Sequence, residues 1–180
     1  MANITGFRAS IASGLVRANQ FRVTLNFPKI MAGYANISAL STFHVRAASL
    51  PASTIGSIPV FFQGRAVNVA GEREFRPWAV SVMNENFAIR DALMTWSHRI
   101  NNINNNTGVI TVADYQADLT VEQLDRNGRV LKTITIHDAM PVDIGDIALD
   151  FQNNNSVEIF GCTFVYNYFT ESGVNSTSIV

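Results

Sequence analysis

Residues 58–75 read IPVFFQGRAVNVAGEREF. Neighbouring side chains of an extended chain point to opposite faces, so Phe62 joins Ile58 and Val60 on one side only if Phe61 projects from the other. Gln63-Gly64 is a turn signal, and a second alternating run closes at Ala70-Gly71. The segment therefore predicts a hairpin of strands 58–62 and 65–70, with Phe61, Val67 and Val69 apolar on a hairpin whose other face is already furnished. Strands apolar on two sides need cover on both. A ligand pocket, a second core or a neighbouring copy of the same chain could supply it; hydrophobes scattered over a monomer's surface are the plain alternative.

Composition narrows the choice. A chain of 180 residues with 47% hydrophobic content fits one well-buried domain better than two. Lys and Arg number 13 against 14 Asp and Glu, which leaves no global basic field to hold nucleic acid or an anionic membrane. Only 15% of residues are charged, a sparse covering that points to surfaces shared with partners. The one cysteine, Cys162, excludes an intrachain disulfide framework and a Cys-rich metal site, as suits folding in a reducing cytosol. The opening run MANITGFRASIASGLVRANQF has no signal-peptide pattern, and no stretch reaches the roughly 20 apolar residues of a membrane span, so no membrane insertion is expected.

On the N-terminal side of the hairpin, residues 1–20 read as an arm in which Phe7, Ile11, Leu15 and Val16 allow a weak amphipathic turn or two. FRVTLNF, from Phe21 to Phe27, alternates as a half-buried strand ended by Pro28. FHVRAA at 43–48 repeats the alternation through Phe43, Val45 and Ala47, before the break at Leu50–Ser53. On the C-terminal side, Trp78–Met83 is a strand, after which the period changes to about 3.6. Asn84 or Asn86 can cap a helix at about 86–100 whose stripe is Ile89, Leu93, Trp96 and Ile100.

The Asn-rich tract 101–108 is too turn-prone to continue that helix. Strand then follows from Tyr115 through Leu119, Val121 and Leu124 to Asn127-Gly128, a type I′ turn signal. The return strand is Val130–His137. Pro141 and Gly145 punctuate a loop, Ile147–Phe151 is a candidate short strand, and 156–169 reads as one long strand bent at Gly161. The polar run from Thr170 alone would be a frayed tail. These elements predict a mainly β fold: an antiparallel β-barrel or sandwich over 21–169, with one flanking α-helix, a hairpin arm at about 50–74 and a C-terminal tail at 170–180.

Residues able to do chemistry are scattered. His44, His98 and His137 fall on different predicted elements without metal-ligand spacing, and Cys162 sits among Phe160 and Phe164 as a small hydrophobe. Gly64 and Gly71 lack the Lys-Ser/Thr of a phosphate loop. Asp143 and Asp146 flank Gly145 and could share a proton or a cation, but read as solvated turn residues, like Glu72, Glu74 and Asp125. No catalytic, cofactor-binding or metal-ligating residue is nominated, no cofactor is expected, and no enzymatic activity is anticipated.

The run LPASTIGSIPVFFQGRAVNVAGEREFRPWAVSVMNE, Leu50 to Glu85, resembles the tail tube proteins of T-even-like contractile-tailed bacteriophages. The resemblance rests on Leu50-Pro51, Ile58-Pro59-Val60, Asn68–Arg73 and the W-x-V-x-V-M-N of Trp78–Asn84. In layout it extends over about 18–169, departing at 101–108 and after Thr170. It implies a structural virion protein that forms homo-hexameric rings, stacked head to tail into a hollow tube within a sheath. Baseplate and tape-measure proteins would be further partners, and double-stranded DNA would pass through the lumen without specific binding. The location implied is the virion tail, assembled in the host cytoplasm. On this reading Ile58, Val60, Phe61, Arg65, Val67, Asn68, Val69, Arg73 and Glu74 are the candidate subunit-interface residues. Two other readings stay open: the tube of a phage-derived contractile injection or type VI secretion system, and a small monomeric β-barrel binding module.

Overall fold

The computed structural model describes residues 3–12, 14–152 and 154–173. Chain order is α1 (Ile4–Ser10), β1 (Phe21–Thr24), a single 3-10 turn (Lys29–Met31), α2 (Ala35–His44), β2 (Val45–Ala48), β3 (Ser53–Phe62) and β4 (Arg65–Phe75). It continues with β5 (Trp78–Met83), α3 (Ala88–Ile100), α4 (Val112–Tyr115), β6 (Ala117–Leu124), β7 (Val130–Ile144), β8 (Ile159–Val165) and β9 (Tyr168–Gly173). Hydrogen bonds link β1-β6-β7-β8-β5-β2 into one path, with β9 also on β7, while β3 and β4, among the described residues, pair only with each other. Every pairing is antiparallel.

One strand holds the body together. Lys132–His137 of β7 pair with β9, and Met140–Ile144 pair with β8, so β7 is shared by two sheets within the path, one of β1, β6, β7 and β9 and one of β7, β8, β5 and β2. The handover falls at Asp138, whose φ of 57° is left-handed. Asp118 fixes this corner: its carboxylate accepts the Asp138 N–H at 3.2 Å and lies 3.0 Å from His137 Nδ1. Asn167 completes it, donating from its side chain to Asp138 at 3.0 Å and from its backbone to the His137 carbonyl at 3.2 Å. Among the described residues the path does not close, because β1 and β2, its two ends, do not pair with each other. Helix α2 packs against both of them and against β5.

Alternation places Val23, Val80, Val82, Leu119, Val121, Ile134, Ile136, Phe160 and Phe164 inside. Trp96 meets Phe164 at 6.2 Å between ring centroids, and Phe164 meets Trp78 at 5.9 Å. Both indoles are satisfied: Trp96 donates to the Tyr115 carbonyl and Trp78 to the Ser49 carbonyl, each at 2.7 Å. Helix α3 buries Ile89, Leu93 and Trp96, with Ile100 half-buried. Its start is held by both expected asparagines, Asn84 accepting from Phe87 N–H at 3.1 Å and Asn86 from Ala88 N–H at 3.2 Å.

Several local expectations need correction. Phe43 and His44 end α2 instead of opening a strand, so Phe43 is 78% exposed while Val45 is buried in β2. Helix α2 was not expected beside α3. Its one fully buried residue is polar: Ser41, whose hydroxyl accepts the Leu25 N–H at 2.9 Å and donates to Ser38 at 2.7 Å. At 125–129 only Gly128 has positive φ, because Asp125 caps the turn by accepting the N–H groups of Asn127 and Arg129, each at 2.8 Å. The paired positive φ values of a type I′ turn occur instead at Gln63 (46°) and Gly64 (81°).

Further along, Pro141 does not end β7. The register shifts between Pro141 and Asp143, an irregularity that accommodates a residue without an N–H. Residues 147–151 form no strand. The long last strand breaks at Tyr166-Asn167, where Asn167 serves the β7 corner, and Gly161 stays in register opposite Ser81. Thr170–Gly173, expected to fray, pair with Lys132–Thr135. Residues 174–180 of the expected tail lie outside the described residues. Helix α1 buries none of its side chains.

Candidate assembly interface

The β3–β4 hairpin is longer than its sequence signals, running from Ser53 paired with Phe75 to Phe62 paired with Arg65. Phe75 anchors the base, with ring centroids 5.9 Å from Tyr166 and 5.8 Å from Phe169. Above it the register shifts between Ile55 and Ser57, where Gly71 and Glu72 oppose Gly56 as a two-against-one bulge. Arg73 donates to Ser53 at 2.7 Å below that bulge. The outer part, from Ser57 to Ala70, is exposed on both sides.

Cross-strand partners share a face, and the register corrects one expectation. Phe61 stands opposite Ala66, with Pro59 and Asn68 on its side, whereas Val67 and Val69 pair with Val60 and Ile58 on the other. Phe62 completes that second face, with Arg65 beside it at the tip. Phe61 is 74% exposed and Phe62 69%, and Ile58, Val60, Val67 and Val69 are about half exposed. Arg73 stands opposite Ile55 and Glu74 opposite Thr54, nearer the base. Phe62 and Ile55 are further exposed apolar residues of the hairpin, and the alternation that groups Ile58 with Val60 already carries Phe62.

The chemical groups stay apart. His44 lies 2.9 Å from Glu85, and His137 serves the β7 corner with Nε2 2.9 Å from Thr170 Oγ1 and its ring stacked on Tyr168. Burial pushes the Cys162 thiol up to about 12, with the nearby Asp143 carboxylate adding to the shift. Such a thiol stays protonated and unreactive at neutral pH. Among the described residues no three His, Cys, Asp or Glu side chains gather as metal ligands, and no helix is long and apolar enough to cross a membrane.

The body carries a hairpin arm whose outer part exposes both faces. The family model for phage tail tube proteins matches residues 16–172, and the chain belongs to that family. It is thus a structural component of a phage virion tail.

The tail tube protein gp19 of Enterobacteria phage T4 is 30% identical over 164 residues, covering 90% of this chain and 95% of gp19. The tail tube protein of Serratia phage KSP90 is 28% identical, covering 92% of this chain and 95% of its own. In fold, the chain matches one from the anti-feeding prophage baseplate (TM-score 0.65, 14% identity, 90% of this chain and 98% of the other). It also matches a chain of the PVC sheath-tube complex of an extracellular contractile injection system (TM-score 0.61, 14% identity, 92% and 97%).

Proposed function

We propose that this chain forms hexameric rings that stack head to tail into the hollow tube of a contractile tail, the conduit for double-stranded DNA. The observation that carries the proposal is the arm: among the described residues both faces of Ser57–Ala70 are uncovered, so a second copy is the cover that assembly provides. The candidate residues Ile58, Val60, Phe61, Arg65, Val67, Asn68, Val69, Arg73 and Glu74 are its contact set, extended by Phe62. The six-fold symmetrised baseplate that contains a fold relative supports the ring number, and the PVC sheath-tube complex supports an enclosing sheath. The sequence relatives are phage tail tube proteins, which favours genome over secreted protein as the cargo.

The protein's work is then mechanical, with no bond made or broken. A head-to-tail interface does not close on itself, so tube length must be limited from outside, by baseplate nucleation and a tape-measure protein. A conduit also gains from weak DNA contact, since each neutralised phosphate adds affinity that slows passage. Negative-stain microscopy of the purified protein, alone and seeded, tests the reading. Rings and tubes are expected from the native chain, and folded monomers from Phe61→Asp. Native protein that stays as single compact particles even when seeded, or normal tubes from the variant, overturns it.

A further inference from the structure

Charge is divided unevenly along the chain. Every Lys and Arg lies at or before Lys132, whereas Asp138, Asp143, Asp146, Asp150, Glu158 and Glu171 follow it. Part of this acidic segment is the loop between β7 and β8, residues 145–158. There Asp146 and Asp150 are exposed, and among the described residues neither pairs with a Lys or Arg. The same loop exposes Leu149, Phe151 and Val157. It offers a second uncovered apolar surface, and this one is anionic.

The arm tip has the complementary character. Phe61 and Phe62 are exposed beside Arg65, which no carboxylate pairs with among the described residues. The base of the arm and the return of the loop lie at opposite ends of β5. β5 follows the arm directly, beginning at Trp78, which pairs with Phe164; it ends at Met83, which pairs with Ile159, the first strand residue after the loop. The Asn84 N–H donates to the Glu158 carbonyl at 2.9 Å and fixes the loop's return at that end. The base of the arm and the return end of the loop are therefore separated by the length of β5, about 20 Å at 3.3 Å per residue, while the loop starts level with Ser81, where the Gly145 N–H donates to the Gly161 carbonyl at 2.8 Å.

We propose that the arm tip of one copy docks on the acidic, apolar 145–158 loop of a second copy, aromatic rings against Leu149 and Phe151 and Arg65 against Asp146 or Asp150. This rests on the arm being an inter-copy contact, as argued above, and names its receptor. Donor and receptor are different surfaces, so the contact is heterologous, the kind that builds rings or open stacks. Opposite charge steers the encounter and fixes its register, and an arm-to-arm contact would set Arg65 against Arg65.

Charge exchange tests it. Arg65→Glu alone and Asp146→Lys/Asp150→Lys together should each raise the critical concentration for tube formation about tenfold or more, and all three combined should recover most of the loss. Folding of each variant is checked by circular dichroism. As a second arm, Gln63→Cys with Ala148→Cys should give disulfide-linked ladders on oxidation of assembled tubes, since the native Cys162 is buried. If arm variants block assembly while loop variants assemble normally and no ladder forms, the receptor is wrong and the arm reading survives. Should Arg65→Glu and Phe61→Asp both assemble as the native chain does, the arm reading itself falls, and this inference with it.

Discussion

Gly71 lies so close to Gly56 that a β-carbon added to it would stand 3.1 Å from the Gly56 carbonyl oxygen. This is the bulge that separates the anchored base of the arm from its exposed outer part, and bulges re-aim the strand beyond them. Gly71→Val should open the bulge and misdirect the tip. Because the site is outside the core, global stability in urea should change by less than ~1 kcal/mol. Sedimentation should nonetheless show fewer and shorter tubes; native tube yield would refute the role of the bulge.

The two faces of the arm should not be equivalent. Val67 lies among Ile58, Val60, Phe62 and Val69, while Phe61 has Pro59, Ala66 and Asn68 on its side. A carboxylate placed in the richer face desolvates among more apolar atoms. Val67→Asp is expected to raise the critical concentration for assembly more than Phe61→Asp, with both monomers melting like the native one. The reverse order in a pelleting assay would mean that Phe61's face carries the main contact.

Asp138 holds a left-handed backbone at the point where β7 changes sheet. A β-branched residue there is strained by about 1–2 kcal/mol, and glycine is not. Asp138→Val should lower stability by about that amount or more, and Asp138→Gly by less, since its loss of the Asn167 bond is offset by relief at φ. Urea titrations at low protein concentration measure both.

Cys162 predicts a pH dependence with a definite sign. Its ordinary value is 9.0, and burial raises it to about 12 in the folded state. Its contribution to stability is complete below pH 9 and is lost as pH rises toward 12, because only the unfolded thiol releases its proton there. The slope attributable to it approaches about 1.4 kcal/mol per pH unit. Comparing the native chain with Cys162→Ala across pH 8–11 isolates it from the tyrosines; parallel curves would contradict the assignment. Native Cys162 should also resist thiol reagents at pH 8.

What the sequence made legible was whatever two-fold or 3.6-fold periodicity could carry. β1, β5 and α3 declared themselves because each has one apolar stripe of regular spacing, and the hairpin through its alternation and the Gln63-Gly64 turn. Helix α2 stayed hidden because its fully buried residue is Ser41, with Ile37 and Leu40 only half-buried, so no apolar stripe marked it. The split of the last strand was also hidden: its cause is Asn167 bonding to His137 and Asp138, partners about 30 residues away. For the arm, alternation correctly opposed Phe61 to Phe62. It could not supply the pairing of β3 with β4, and so grouped Phe61 with the wrong valines.

The β7 strand that serves both sheets has a mechanical consequence. The arm joins the body covalently at β2 and β5, with Phe75 adding ring contacts to Tyr166 in the β8–β9 break and to Phe169 in β9. From β5 the strand order runs through β8 to β7 and on to β6 and β1, so β7 is the strand through which load between the two ends of the path must pass. Pulled in an optical trap between Gln63 and the N-terminal end of β1, the subunit should yield in a single rupture; two separate steps would show that the sheets bear force independently. A part built this way transmits strain along its length as one rigid link.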